Sequence, residues 1–266
     1  MRIIKDYLVY DDQKTNALFF YPPEGVKVMP TFAIFGHGYT SDKSSILNWA
    51  TRLAEVGVCC AIFDWPGHFL GNYSEVLDFN HFKAHAHELF LEAFKGLNKH
   101  FNEVVKDFTN PSLNSEFELV LGGHSLGAML SLKALDLPEF NQYQKRALLV
   151  GLGMAPKKVV HLFDTPFYKA TLIIRNELVS KELHSDNVFP WIKKEKEDLK
   201  ISNHKIHFIT GVDDLVVGED GTERFVEHLL QLGNFVTMER PTKLPHHEPN
   251  LAAGHIKKYF KDQKLI

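Results

Sequence analysis

The stretch Gly123-His124-Ser125-Leu126-Gly127 decides the fold, because it places a serine between glycines where two different sequence patterns meet. The apolar run at 117–121 predicts a strand, and residues 126–137 have helical spacing. A strand that runs straight into a helix holds the serine in a strained turn, and only glycine-sized neighbours let the two backbones come so close. We therefore predict that the Ser125 hydroxyl projects from a sheet edge as a nucleophile.

The helix after this serine predicts a site that favours negative charge. Apolar residues recur there at helical spacing, namely Leu126, Met129, Leu130 and Ala134. The unpaired N–H groups and the dipole at the helix N-terminus favour an alkoxide and the tetrahedral oxyanion that follows it. Since a backbone N–H needs no particular side chain, geometry assigns the Leu126 N–H as one donor of an oxyanion hole.

An earlier loop supplies the second part of the pattern. The run at 31–35 leads into Gly36-His37-Gly38-Tyr39-Thr40-Ser41, whose glycines let the backbone curl toward the serine. His-Gly, then an aromatic residue, then Thr-Ser resembles the oxyanion loop of the α/β-hydrolase superfamily, especially its small, carboxylesterase-like serine esterases. The resemblance extends from about Phe32 to the last helix and implies that the Tyr39 N–H is the second oxyanion donor.

A serine nucleophile needs a base and a carboxylate that orients this base. In the superfamily the order along the chain is serine, acid, histidine, so the acid is expected in the loop after the strand predicted at 205–209. Asp214 has the spacing that similar hydrolases show, three residues after Gly211 and three before Val217. Asp213 is the alternative, since a loop adjusted by one residue would exchange the two aspartates.

The base is expected between the last strand and the last helix, where His246 and His247 are adjacent. His247 is followed by Glu248 and lies about one turn before the predicted helix, which resembles the His-Glu pattern of small carboxylesterases. We therefore predict His247 as the base, with His246 as the alternative. The residue before either histidine is not the glycine common in the superfamily, so the choice between them stays open.

The order of predicted elements indicates one α/β domain over residues 1–266. After an opening hairpin, strands and helices alternate, which predicts a mostly parallel sheet with helices on both faces and ligands at the carboxyl ends of the strands. The long connection at about 155–202 does not fit simple alternation, and the superfamily inserts a cap at this place. We predict a small helical lid in which Phe163 and Phe167 form walls of an acyl pocket.

Composition fits an enzyme rather than a nucleic-acid or membrane protein. The 266 residues are 44% hydrophobic, the net charge is −3, and no basic block occurs, so nucleic acid and membrane insertion are not expected. The N-terminus lacks the apolar core of a signal peptide, which predicts a cytoplasmic protein. The adjacent Cys59 and Cys60 are predicted to be buried thiols on opposite faces of a strand.

These features together predict a serine hydrolase that cleaves carboxylic esters through an acyl-enzyme, with no cofactor and no metal ion. The site has no cluster of basic residues and an aromatic-rich lid, so the expected substrate is a small-molecule ester with a short to medium, uncharged, apolar acyl group. A thioesterase, amidase or acyltransferase would use the same residues. A non-catalytic, ligand-binding member of the fold is a further alternative, in which a broken triad would be expected. The sequence leaves the oligomeric state open.

Overall fold

An eight-stranded sheet forms the centre of the protein. The computed structural model describes residues 1–104, 117–155 and 165–266. The strands are β1 (Arg2–Tyr10), β2 (Gln13–Tyr21), β3 (Thr31–Gly36), β4 (Cys59–Phe63), β5 (Glu118–His124), β6 (Gln144–Val150), β7 (Lys205–Ile209) and β8 (Phe235–Glu239). Their order in the sheet is β1-β2-β4-β3-β5-β6-β7-β8. The predicted opening hairpin is confirmed, since β1 and β2 pair antiparallel, and from β4 to β8 all neighbours are parallel.

Helices cover both faces of the sheet, as the alternating pattern predicts. The helices are α1 (Leu47–Ala54), α2 (Phe79–His85), α3 (Leu89–Val104), α4 (Leu126–Ala134), α5 (Pro166–Asn176), α6 (Ser185–Glu197), α7 (Gly221–Gln231) and α8 (Ala253–Asp262). One face packs against α1 and α8, and the other packs mainly against α3, α4 and α7. Each face buries its own apolar core, so the sheet is apolar on both sides, which is typical of parallel sheets.

The two cysteines show how β4 serves both cores. Cys59 belongs to the core on the α3 side, and Cys60 belongs to the core on the α1 side. Both are free and completely buried, and burial raises the pKa of the Cys60 thiol well above its usual range. The prediction of buried thiols on opposite faces is therefore confirmed.

The carboxyl ends of the parallel strands meet at one edge of the sheet. Gly36 at the end of β3 pairs with Gly123 near the end of β5, and His124 pairs with Val150 at the end of β6. The loops that leave these strands therefore start side by side, although they are far apart along the chain. This edge holds the candidate functional site.

Two helices, α5 and α6, occupy the long connection between β6 and β7. Thr165 caps α5 by accepting a hydrogen bond from the Tyr168 N–H, and Pro166 occupies its first turn. In the described ranges, no helix is long and apolar enough to cross a membrane.

Candidate active site

The predicted strand-to-helix turn is present at Ser125. Its backbone has φ 51° and ψ −108°, a conformation that is strained for a residue with a side chain and that is common at functional sites. The close approach of the two backbones explains the glycines, because a Cβ on Gly127 would lie 2.1 Å from the Gly36 carbonyl oxygen. The Ser125 N–H donates to the Val150 carbonyl at 3.0 Å, which fixes the turn against β6.

Asp214 lies in the loop after β7 and is almost completely buried. Its Oδ1 accepts hydrogen bonds from the Val216 and Val217 N–H groups at 3.0 and 2.9 Å, and its Oδ2 lies 2.9 Å from His246 Nδ1. The carboxylate is therefore held by the backbone on one side and directed at an imidazole on the other.

The neighbouring Asp213 has a different position. Its side chain is exposed, and its Oδ1 accepts a hydrogen bond from the Leu244 N–H at 2.9 Å. Asp213 therefore holds the loop that carries the two histidines, whereas Asp214 contacts one of them directly.

The structure brings His246, the alternative of the sequence analysis, to the carboxylate of Asp214. His246 is largely buried, with 9% of its side chain exposed. The ring of His247 lies edge-on to the His246 ring, with centroids 5.6 Å apart, and makes no hydrogen bond to Asp214 among the described residues. Burial lowers the pKa of His247, and the adjacent His246 and Arg175 lower it further.

One cavity of about 350 Å³ connects these groups. Its lining combines residues of the turn, the loop after β3, the loop after β7, both histidines and the α5–α6 segment: Tyr39, Thr40, Ser41, Ser45, His124, Ser125, Tyr168, Arg175, Leu178, Phe189, Val216, His246, His247 and Pro249. Such a volume is at the lower end of the range of ligand sites, which is about 300–1,000 Å³.

The two predicted pocket phenylalanines do not line this cavity in the described structure. Phe167 has 77% of its surface exposed, whereas the next residue, Tyr168, is buried and faces the cavity. Phe163 lies outside the described residues. Sequence reasoning also missed Arg175, although it is the only arginine between 155 and 202, which was the available signal.

The loop after β3 approaches the turn through its backbone. The Gly127 N–H donates to the His37 carbonyl at 3.1 Å, and the Trp65 indole N–H donates to the same oxygen at 2.9 Å. Within the described hydrogen bonds, the N–H groups of Tyr39 and Leu126 donate to no protein acceptor. Tyr39 lines the cavity, and Leu126 directly follows Ser125 in the chain.

His124 forms a neutral wall beside His246. It is buried, its ring centroid lies 4.6 Å from that of His246, and burial and the neighbouring histidines hold its pKa well below the usual value. Within the part of the chain that the structure describes, no group of His, Cys, Asp or Glu side chains is arranged to hold a metal ion.

Comparison with known proteins identifies the family to which this fold belongs. The model of the alpha/beta hydrolase family matches residues 33–248, which is most of the chain. The chain therefore belongs to the α/β-hydrolase family and has its fold. No curated protein matches the chain.

Solved structures with the same fold include several hydrolases. A soluble variant of monoglyceride lipase from Saccharomyces cerevisiae is 14% identical to this chain, with a TM-score of 0.65. The match covers 97% of this chain and 94% of the lipase chain. A hyperthermophilic esterase from Pyrobaculum calidifontis is 15% identical, with a TM-score of 0.65, and the match covers 100% of this chain and 87% of the esterase chain. An epoxide hydrolase from Vigna radiata is 10% identical, with a TM-score of 0.66, and the match covers 99% of this chain and 98% of the epoxide hydrolase chain. The family supports a hydrolase activity, and the neighbours share its fold.

Proposed function

We propose that this protein is a serine hydrolase that cleaves carboxylic esters of small acyl groups through an acyl-enzyme. In this proposal Ser125 is the nucleophile, His246 the base and Asp214 the carboxylate that orients it, so His246 replaces His247 in the role expected from the sequence. The observation that carries the proposal is the 2.9 Å contact of Asp214 with His246, a residue that lines the same cavity as Ser125.

The reaction follows from these positions in two steps. His246 takes the Ser125 proton as the hydroxyl oxygen attacks the ester carbonyl, and it then gives this proton to the departing alcohol, which leaves an acyl-serine. Water, deprotonated by His246, attacks the acyl-serine; the bond between the acyl carbon and the Ser125 oxygen then breaks, His246 returns the proton to that oxygen, and the acid leaves. The Leu126 and Tyr39 N–H groups would donate to the oxyanion in both steps.

Asp214 supports this chemistry through its position. Its contact with Nδ1 leaves Nε2 of His246 as the nitrogen that acts on Ser125, and its negative charge stabilises the imidazolium that forms. Since its other oxygen accepts two backbone N–H groups, the carboxylate does not need to move during the reaction.

The segment at 155–202 is proposed to act as a lid. Its helices contribute Tyr168, Arg175 and Phe189 to the cavity wall, and Tyr168 replaces Phe167 as the aromatic wall residue of α5. The small cavity supports short acyl groups, since each wall residue limits the length of chain that fits.

Labelling with a fluorophosphonate, followed by intact-mass analysis and ethyl ester hydrolysis, tests the proposal. Ser125→Ala is expected to abolish labelling and to lower turnover about a million-fold, because the triad acts as a unit. His246→Ala is expected to lose far more turnover than the matched variant His247→Ala. Stoichiometric labelling of Ser125→Ala, or a larger loss in His247→Ala, would contradict the assignment.

A further inference from the structure

Arg175 is a cation in the wall of the catalytic cavity. It lies in the last turn of α5, is half-buried, and donates from Nη1 to Thr40 Oγ1 at 3.3 Å. Its guanidinium carbon lies 5.6 Å from the centre of the Tyr168 ring, an arrangement that supports the flat group from one side. These contacts fix Arg175 between the lid segment and the loop after β3.

The positive charge of Arg175 has no carboxylate partner in the described ranges, 1–104, 117–155 and 165–266. Other arginines that are removed from solvent do have one: the buried Arg146 pairs with Glu118, and the half-buried Arg224 and Arg240 pair with Asp220 and Glu223. No Asp, Glu or Lys is among the described residues that line the cavity.

A half-buried guanidinium in this setting has unused binding capacity. It carries five N–H donors, of which the described contacts use one. Removing a charge from water is unfavourable unless an opposite charge or hydrogen-bond acceptors replace the water. The planar fork of arginine matches the two oxygens of one carboxylate, so a ligand with that group would satisfy it.

We propose that Arg175 binds a carboxylate of the substrate, and that the substrate class is therefore small esters that also carry a free carboxylate. The inference rests on the proposed function and replaces the expectation of an uncharged acyl group. A carboxylate fits better than a phosphate monoester, because a single guanidinium without a nearby lysine matches one negative charge. The cavity volume limits the distance between the ester and the carboxylate to a few bonds.

Two pairs of esters test the inference. Monoethyl succinate and ethyl succinamate differ only by carboxylate against amide on the acyl side, and 3-acetoxypropanoate and 3-acetoxypropanamide differ in the same way on the alcohol side. The measured quantity is the ratio of kcat/KM for the carboxylate to that for the amide. We expect the wild-type protein to prefer the carboxylate in at least one pair.

The variants assign this preference to one side chain. Arg175→Gln is expected to lower the ratio by about 10- to 100-fold, the usual range for a hydrogen bond to a charged group. Arg175→Lys should restore part of the ratio, since it keeps the charge and loses the fork. Lys169→Gln is the matched control, because it removes a positive charge from the exposed part of the same helix, and it should leave the ratio as in the wild type.

The outcomes separate this inference from the proposed function. A wild-type protein that labels with fluorophosphonate but prefers neither carboxylate refutes the role of Arg175 alone. An equal loss for both members of a pair in Arg175→Gln also refutes it, because Arg175 would then only hold the loop through Thr40. If Ser125 proves not to react, calorimetric titration with succinamate and succinamide still tests the role of Arg175. The wild-type protein should bind the anion succinamate more tightly than the neutral succinamide, and this difference in affinity should disappear in Arg175→Gln.

Discussion

The buried ion pair of Lys43 and Asp64 gives the sharpest prediction on stability. Asp64 follows β4 and is completely buried; it accepts hydrogen bonds from the Lys43 N–H at 2.8 Å and from the Lys43 ammonium. Burial raises the pKa of the Asp64 carboxyl, and Lys43 opposes that shift. Replacing Lys43 with methionine keeps an unbranched side chain as far as the ε carbon and leaves the carboxylate without its cation.

The magnitude follows from the geometry of the pair. Breaking a buried ion pair by removing one partner costs about 3–5 kcal/mol. The Lys43 side chain is 18% exposed and its backbone N–H contact remains, so we expect the lower end, about 3 kcal/mol. For a chain of this length, that loss lowers Tm by about 6–12 °C.

Thermal and urea unfolding of Lys43→Met, Asp64→Asn and the double variant measure the effect. The double variant is expected to lose less than the sum of the single losses, since an amide with no facing cation leaves no unpaired charge. A loss below about 1 kcal/mol in Lys43→Met, the value of an exposed pair, would refute the reasoning.

Three further predictions concern the turn, the acid and pH. Gly127→Ala should lose about 3 kcal/mol of stability together with ester turnover, because its Cβ would meet the Gly36 carbonyl; unchanged thermal unfolding would contradict this. Asp214→Asn should lower turnover about ten-thousand-fold and Asp213→Asn far less, and equal losses would contradict the assignment of Asp214. Burial lowers the pKa of His37 to about 4, against about 6.5 when unfolded, so the unfolded chain binds more protons between these values. The free energy of unfolding from urea titrations should therefore fall from pH 7.5 to 5.5, by about 1.4 kcal/mol from His37 alone, and an equal stability at both pH values would be inconsistent with a neutral, buried ring.

Local steric rules made much of the fold predictable. The turn at Ser125 could be read from the sequence because a strand, two glycines and a helix allow few other backbone paths. The cysteine pair and the opening hairpin were equally accessible, since strand periodicity assigns alternate residues to opposite faces. Short-range rules of this kind need no knowledge of distant contacts.

The direction of side chains in the loop after β8 was not predictable in this way. His246 and His247 are adjacent, and the one that meets Asp214 depends on loop dihedrals set by the distant contact of Asp213 with Leu244. The sequence has no periodic signal there. The choice of His247 therefore relied on resemblance, whereas His246 is the histidine that contacts Asp214.

The cavity wall shows the same limit on a helix. Phe167 and Tyr168 differ by one position, which turns the side chain by about 100° around the helix axis, so the prediction of which one faces the cavity needs the orientation of α5. Arg175 was not predictable as a cavity residue either, because a single arginine forms no sequence pattern and its position in the wall also depends on the orientation of α5.

A hydrogen bond between distant parts of the chain has a consequence for how the protein folds. The indole N–H of Trp49 on α1 donates to the Pro249 carbonyl at 2.7 Å, and this bond joins residues 200 positions apart, just after the loop with His246. A contact of such long sequence separation carries a large loop-closure cost, which has to be met before the contact can stabilise the fold. The position of the segment that carries His246 therefore depends on docking of the C-terminal part of the chain on α1, and we expect the fluorescence of the buried Trp49, followed in a chain whose Trp65 and Trp191 are replaced by phenylalanine, to report this docking.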